Sequence, residues 1–149
     1  MEGSGQGAVV SHATVASASA ARLVEIAVAE AARNGWAVAA AVVDRAGAPL
    51  ALIRMDDATP LIAEFALDKA YTAATLRRST ESYYERLAGS PSLALGFGNR
   101  PRLMVWGGGL PIVRDGQVLG GIGVSGALSS EDVACARVAL EALGFGWER

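Results

Sequence analysis

Lys69 stands alone: the chain carries twelve arginines and this single lysine. Counted at 3.6 residues per turn, Ile62, Phe65, Ala66, Ala73 and Leu76 make an apolar helical face with Lys69 in its middle. Glu64, Asp68, Tyr71 and Arg78 fall on the opposite side. An inward lysine must pair with an anion, give up its charge or line a cavity. The alternative is that the stem packs and the ammonium snorkels to the rim. As a site residue, Lys69 is the candidate catalytic group, an acid/base or an electrostatic stabiliser. Lys69→Met is then expected to spare folding and remove function, and Lys69→Arg is not expected to rescue it, because a planar guanidinium does not replace a compact amine.

Candidate ligand-binding residues lie on four further segments. Arg54 and Asp56 alternate with Met55, so they share one face near a strand end. Arg captures carboxylates bidentately and Asp pairs with either cation, although a solvated strand end reads the same way. Asp44 is a turn residue as readily as a ligand contact. Gly108 and Gly109, in a run of three glycines before Leu110-Pro111, open backbone N–H groups as an anion nest or form a bulge. Gly121 and Gly123 share a strand face with Leu119, and their bareness admits either a helix backbone or a flat ligand. Residues Gly121 to Gly126 match G-x-G-x-x-G literally, but the glycines lie inside a strand. Only 23 of the 149 residues follow, too few for a second parallel strand carrying the ribose-binding acid. A dinucleotide site is therefore rejected. One His and one Cys exclude a His/Cys zinc site, so no metal is expected, and His12 is the only imidazole open to a haem iron. Cys135, among Ala and Val, reads as a small core residue.

These residues need elements to hold them. Residues 1–14 read as a flexible N-terminal arm, and residues 15–149 as one domain. Ala16 to Asn34 is helical and stopped by Gly35. Trp36 to Asp44 and Pro49 to Asp56 are strands joined by a turn containing Gly47. Thr59-Pro60 opens a helix to about Arg78, with a shorter helix from Thr80 to Leu87. Gly89 to Pro101 reads as a loop and Arg102 to Trp106 as a strand. Leu110 to Arg114 and Gln117 to Ser125 form a hairpin around Asp115-Gly116. Ser129-Ser130-Glu131-Asp132 resembles a capping box for the last helix, which Gly144 ends. Hairpin connections argue for one antiparallel sheet of about five strands covered by helices.

At 52% hydrophobic, 19% charged and a net charge of −2, the chain is globular and has no basic face for nucleic acid. It has no apolar run long enough to span a membrane and no signal-type h-region. With its lone cysteine, this points to the cytoplasm. The apolar surplus in so small a chain points to a homo-oligomer, at least a dimer.

Val42-Val43-Asp44 with Gly47, Arg54-Met55-Asp56, Asp68-Lys69-Ala70-Tyr71-Thr72-Ala73, Gly108-Gly109-Leu110-Pro111-Ile112, Asp115-Gly116 and Gly121 to Gly126 occur in an order and spacing that resembles the GlcG/HbpS-like family, which includes the C-terminal domain of PduO-type proteins. The resemblance implies a profilin-like three-layer α/β/α fold with a five-stranded antiparallel sheet, and homo-oligomers up to octamers. The family's lysine matches Lys69. Where the family continues Arg-Met-Asp with Gly, this chain has Asp57. Some members bind haem through histidine; here only His12, outside the matched region, is available, which makes haem weaker for this chain than for the family. Three functions stay open: a cofactor-free enzyme on a small carboxylated or carbonyl substrate with Lys69 and Arg54, a haem or tetrapyrrole-binding module, and an accessory oligomeric subunit.

Overall fold

Two β-hairpins form the centre of the fold in a computed structural model that describes residues 7–148. β1 (Ala39–Asp44) and β2 (Pro49–Arg54) are joined across Gly47 at φ +89. β3 (Gly109–Arg114) and β4 (Gln117–Ser125) turn at Asp115 and Gly116, both at positive φ, as a two-residue hairpin loop requires. The strands pair antiparallel in the order β2-β1-β4-β3. This is a mixed α and β fold, with a sheet of four strands instead of the five expected.

The missing strand is the segment Arg102 to Trp106. Arg102 takes φ +71, outside the strand region, and its carbonyl accepts a hydrogen bond from Thr72 Oγ1 at 3.0 Å. Met104 N donates to the same hydroxyl, also at 3.0 Å. Backbone groups that a strand would give to a neighbour are satisfied by one helical threonine. The preceding stretch is not all loop either: Pro91–Phe97 is a short helix begun by a proline at its first position, where the missing N–H costs nothing.

The remaining helices cover both faces. α1 (Ser17–Arg33) and α5 (Ser129–Ala142) pack on one side with Ala40, Val42, Ile112, Ile122 and Val124. On the other side α2 (Pro60–Leu76) sets Ala66, Ala70 and Ala74 against Ala39, Ala41 and Val43. α3 (Thr80–Ala88) and α4 (Pro91–Phe97) follow α2 in the chain. Small residues on the α2 side let helix and sheet backbones touch. A Cβ at Gly123 would run into Ala66 O and Ala70 N, and one at Gly121 into Ala70 O and Ala74 N.

Of the expected arm, residues 1–6 lie outside the described residues. Residues 7–14 are exposed, but their end is pinned. Thr14 Oγ1 donates to Leu119 O at 3.1 Å and accepts from Arg45 N at 3.0 Å, while Val15 N donates to Leu119 O at 2.9 Å. Among the described residues no helix is long and apolar enough to cross a membrane.

Candidate functional site

Lys69 points inward and is 2% exposed. Its Nζ donates to Val124 O at 2.9 Å and to Asp132 Oδ2 at 3.2 Å, and Asp132 is equally buried. The other carboxylate oxygen, Oδ1, accepts from Ala127 N at 3.0 Å, and Glu131 Oε1 accepts from Leu128 N at 3.0 Å. The expected capping segment thus does two jobs: Glu131 closes the start of α5 and Asp132 turns inward to the lysine. Burial pushes the Asp132 carboxyl up to about 6, against the opposing pull of the Lys69 charge and the Ala127 N–H. Burial likewise holds the Lys69 amine below its usual range, with Asp132 only partly offsetting it.

Glycines make room for this pair. Gly108 sits at φ +126, and a Cβ there would lie 3.0 Å from both Lys69 Nζ and Asp132 Cβ. Gly109 and Gly123 also lie against Lys69, at its carbonyl and its Cβ respectively. Of the N–H groups that a nest in the glycine run would offer, that of Gly109 is already used, donating to Thr80 Oγ1 at 3.0 Å, while Gly108 O accepts from Val124 N at 2.9 Å. Gly121 lies further along β4 against Ala70 and Ala74, paired with Pro111 of β3.

The structure gathers Lys69, Gly108, Gly109 and Gly123; it does not bring Arg54, Asp56 or Asp44 to them. Arg54 is exposed at the end of edge strand β2, opposite Ala39, and its guanidinium donates to Ala58 O. Two strand spacings, about 10 Å, separate it from β4. Asp56 is exposed beyond the strand. Asp44 Oδ1 accepts from Ala46 N at 2.9 Å and Ala48 N at 3.0 Å, which commits the carboxylate to its turn. Cys135 is buried, and its thiol is pushed up to about 12. Among the described residues no group of three or more His, Cys, Asp and Glu side chains is placed to hold a metal ion.

A second constellation surrounds His12. It lines a cavity of about 200 Å³ with Arg45 from the β1–β2 turn and Arg77 from the end of α2. Ser11, Ala13, Gln117 and Val118 complete most of the wall. Both arginines escape sequence reasoning, because nothing in their spacing links residues 12, 45 and 77. The hairpin turn and the left-handed residue Arg77 that ends α2 bring them together.

Comparison with known proteins finds the family described as "Haem degrading protein HbpS-like", whose model matches residues 15–141. Protein GlcG of Escherichia coli (strain K12) is 44% identical over 96 residues, covering 64% of this chain and 69% of the relative. The crystal structure of HbpS superposes with a TM-score of 0.85 at 33% identity, covering 93% of this chain and 96% of that one. The crystal structure of a PduOC:haem complex superposes at 0.83 with 27% identity, over 91% and 99%. A match spanning nearly the whole described fold, joined by solved structures of the same shape, means that the chain belongs to the HbpS-like family.

Proposed function

We propose that this protein binds haem or a related tetrapyrrole, with His12 as the iron ligand and Arg45 and Arg77 as partners for the anionic edge of the macrocycle. The observation that carries this reading is the convergence of the chain's only histidine and two arginines on one cavity. A neutral imidazole suits iron, and guanidinium groups pair bidentately with carboxylates. Val118 and Ala13 add a small apolar wall; at about 200 Å³ the cavity admits an edge of such a group and not the whole macrocycle. When bound, haem supplies an iron centre for redox or ligand-sensing chemistry; the chain's part is to hold and orient it. The family description and the haem complex of a relative support haem binding, and the choice of His12, which precedes the matched residues 15–141, rests on the cavity alone.

A cofactor-free enzyme built on Lys69 has less behind it. The amine is sealed from solvent and already bonded to Val124 O and Asp132, which leaves a substrate no access to it. The His12 cavity is smaller than the 300–1,000 Å³ usual for drug-sized ligands. A second copy of the chain covering the remainder of the macrocycle fits both this size and the expected homo-oligomer.

Haemin titration tests the proposal. The expected result is a saturable Soret change with one haem per chain that is lost in His12→Ala. Arg45→Ala and Arg77→Ala should each weaken binding about tenfold to a hundredfold, since a hydrogen bond to a charged group is worth about 1.5–3 kcal/mol. Identical titrations for the wild type and His12→Ala would overturn it.

A further inference from the structure

Arg45 and Arg77 line the same cavity of about 200 Å³, and no aspartate or glutamate shares its wall. Among the described residues neither guanidinium enters an ion pair, whereas Arg33, Arg102 and Arg137 each meet a carboxylate. Carboxylates are not scarce, since the chain carries fifteen acidic residues against thirteen basic ones. The nearest in sequence, Asp44, accepts from Ala46 N and Ala48 N instead. Two like charges brought to one small concavity repel each other, and a counter-anion relieves that cost. Fixed backbone delivers both: Arg45 N donates to Thr14 Oγ1 at 3.0 Å, and Arg77 ends α2 in the left-handed conformation at φ 57. Ser11, His12 and Gln117, whose side chains can all donate, line the same space. A cavity below the size of drug-like sites suits an anion of a few heavy atoms.

We propose that this cavity is an oxyanion site in its own right, taking inorganic phosphate or the phosphate group of a small monoester when no tetrapyrrole is there. Guanidinium forks match phosphate oxygens bidentately, and a dianion with oxygens on every side engages arginines that arrive from two elements. A monocarboxylate offers one edge and one charge, enough for one of them. The two occupants therefore lean on different residues: haem on the His12 imidazole, phosphate on Arg45 and Arg77. Where the haem reading holds, on which this last step rests, both occupants need the same guanidinium groups and exclude one another.

Calorimetric titration of the haem-free protein with inorganic phosphate, in a phosphate-free buffer, should give saturable binding at one site per chain. Arg45→Gln and Arg77→Gln should each weaken it at least tenfold and together abolish it, while His12→Ala should cost less than fivefold. Arg22→Gln, at an exposed position on α1, should leave the affinity unchanged. Neither cavity arginine is ion-paired, so their variants should keep the wild-type thermal midpoint, which separates lost binding from lost folding. Glycerol 3-phosphate distinguishes the sources: tighter binding than inorganic phosphate assigns the site to a monoester, weaker binding to the free anion. Haemin affinity should fall at least fivefold at saturating phosphate. Phosphate binding without haemin binding removes the haem reading and leaves the oxyanion site standing. No saturable phosphate binding, acetate binding as tightly as phosphate, or an equal loss in Arg22→Gln would each overturn the proposal, whatever haemin does.

Discussion

Removing the ammonium of Lys69 strands a carboxylate inside the protein. The observed pair therefore reverses the expectation that Lys69→Met folds normally. Breaking a buried pair from one side costs about 3–5 kcal/mol, while replacing both partners with apolar groups is often neutral. Chemical denaturation should show Lys69→Met destabilised by about 3 kcal/mol, and Lys69→Met with Asp132→Leu restored to near wild type. The same pair sets an unusual pH dependence. Asp132 binds its proton more tightly in the folded than in the unfolded state, so its contribution to stability grows as pH falls through about 6 towards the unfolded value. Lys69, shifted the other way, gives up its penalty only as pH rises towards its unfolded value. Relative to Asp132→Asn, the wild type should gain about 1 kcal/mol between pH 7.5 and 5. A flat difference across that range would refute the assignment. The inward position of Lys69 was legible from helical periodicity alone. Its partner was not, because Asp132 lies 63 residues away inside a segment that already explained itself as a helix cap.

At the scale of elements, turns and caps were legible because their chemistry is local. Asp115-Gly116 and Pro60 act through their own backbone angles, and the structure places them accordingly. The Arg102 to Trp106 segment misled because its Leu-Met-Val-Trp run carries strand propensity, while its pairing is decided by Thr72 on another element. The bareness of Gly121 and Gly123 left two explanations open, and the backbone of α2 fills the space. Gly123→Ala should consequently force α2 away from β4 and lower stability by about 2–3 kcal/mol, measured as a fall in the denaturation midpoint. Gly116→Ala is a useful comparison: nothing crowds its Cβ position, so any loss there reports only the positive φ.

For the whole molecule, β2 ends one edge of the sheet, β3 ends the other with only Gly146 bridged to it at Val113, and several large apolar side chains face outward. Leu95 is 84% exposed, Leu128 69% and Trp106 51%, apolar surface that a second copy of the chain would cover. Light scattering or sedimentation at micromolar concentration should return at least a dimer, and a monomer there would refute the oligomer. Apolar excess was legible in the composition, but which face carries it was not, since that depends on how α2, α3 and α4 fold over one another.

The knot of hydrogen bonds at Thr14 has a mechanical consequence for His12. Leu119 O and Arg45 N grip the chain from the two separate hairpins at once. Beyond that clamp, His12 is only two residues away, about 7 Å of fully stretched backbone. The imidazole is thus a group on a short leash. Its local concentration at the mouth of the cavity is set by the clamp, and its search volume stays small. The histidine can remain exposed and adaptable while still arriving at the same place each time.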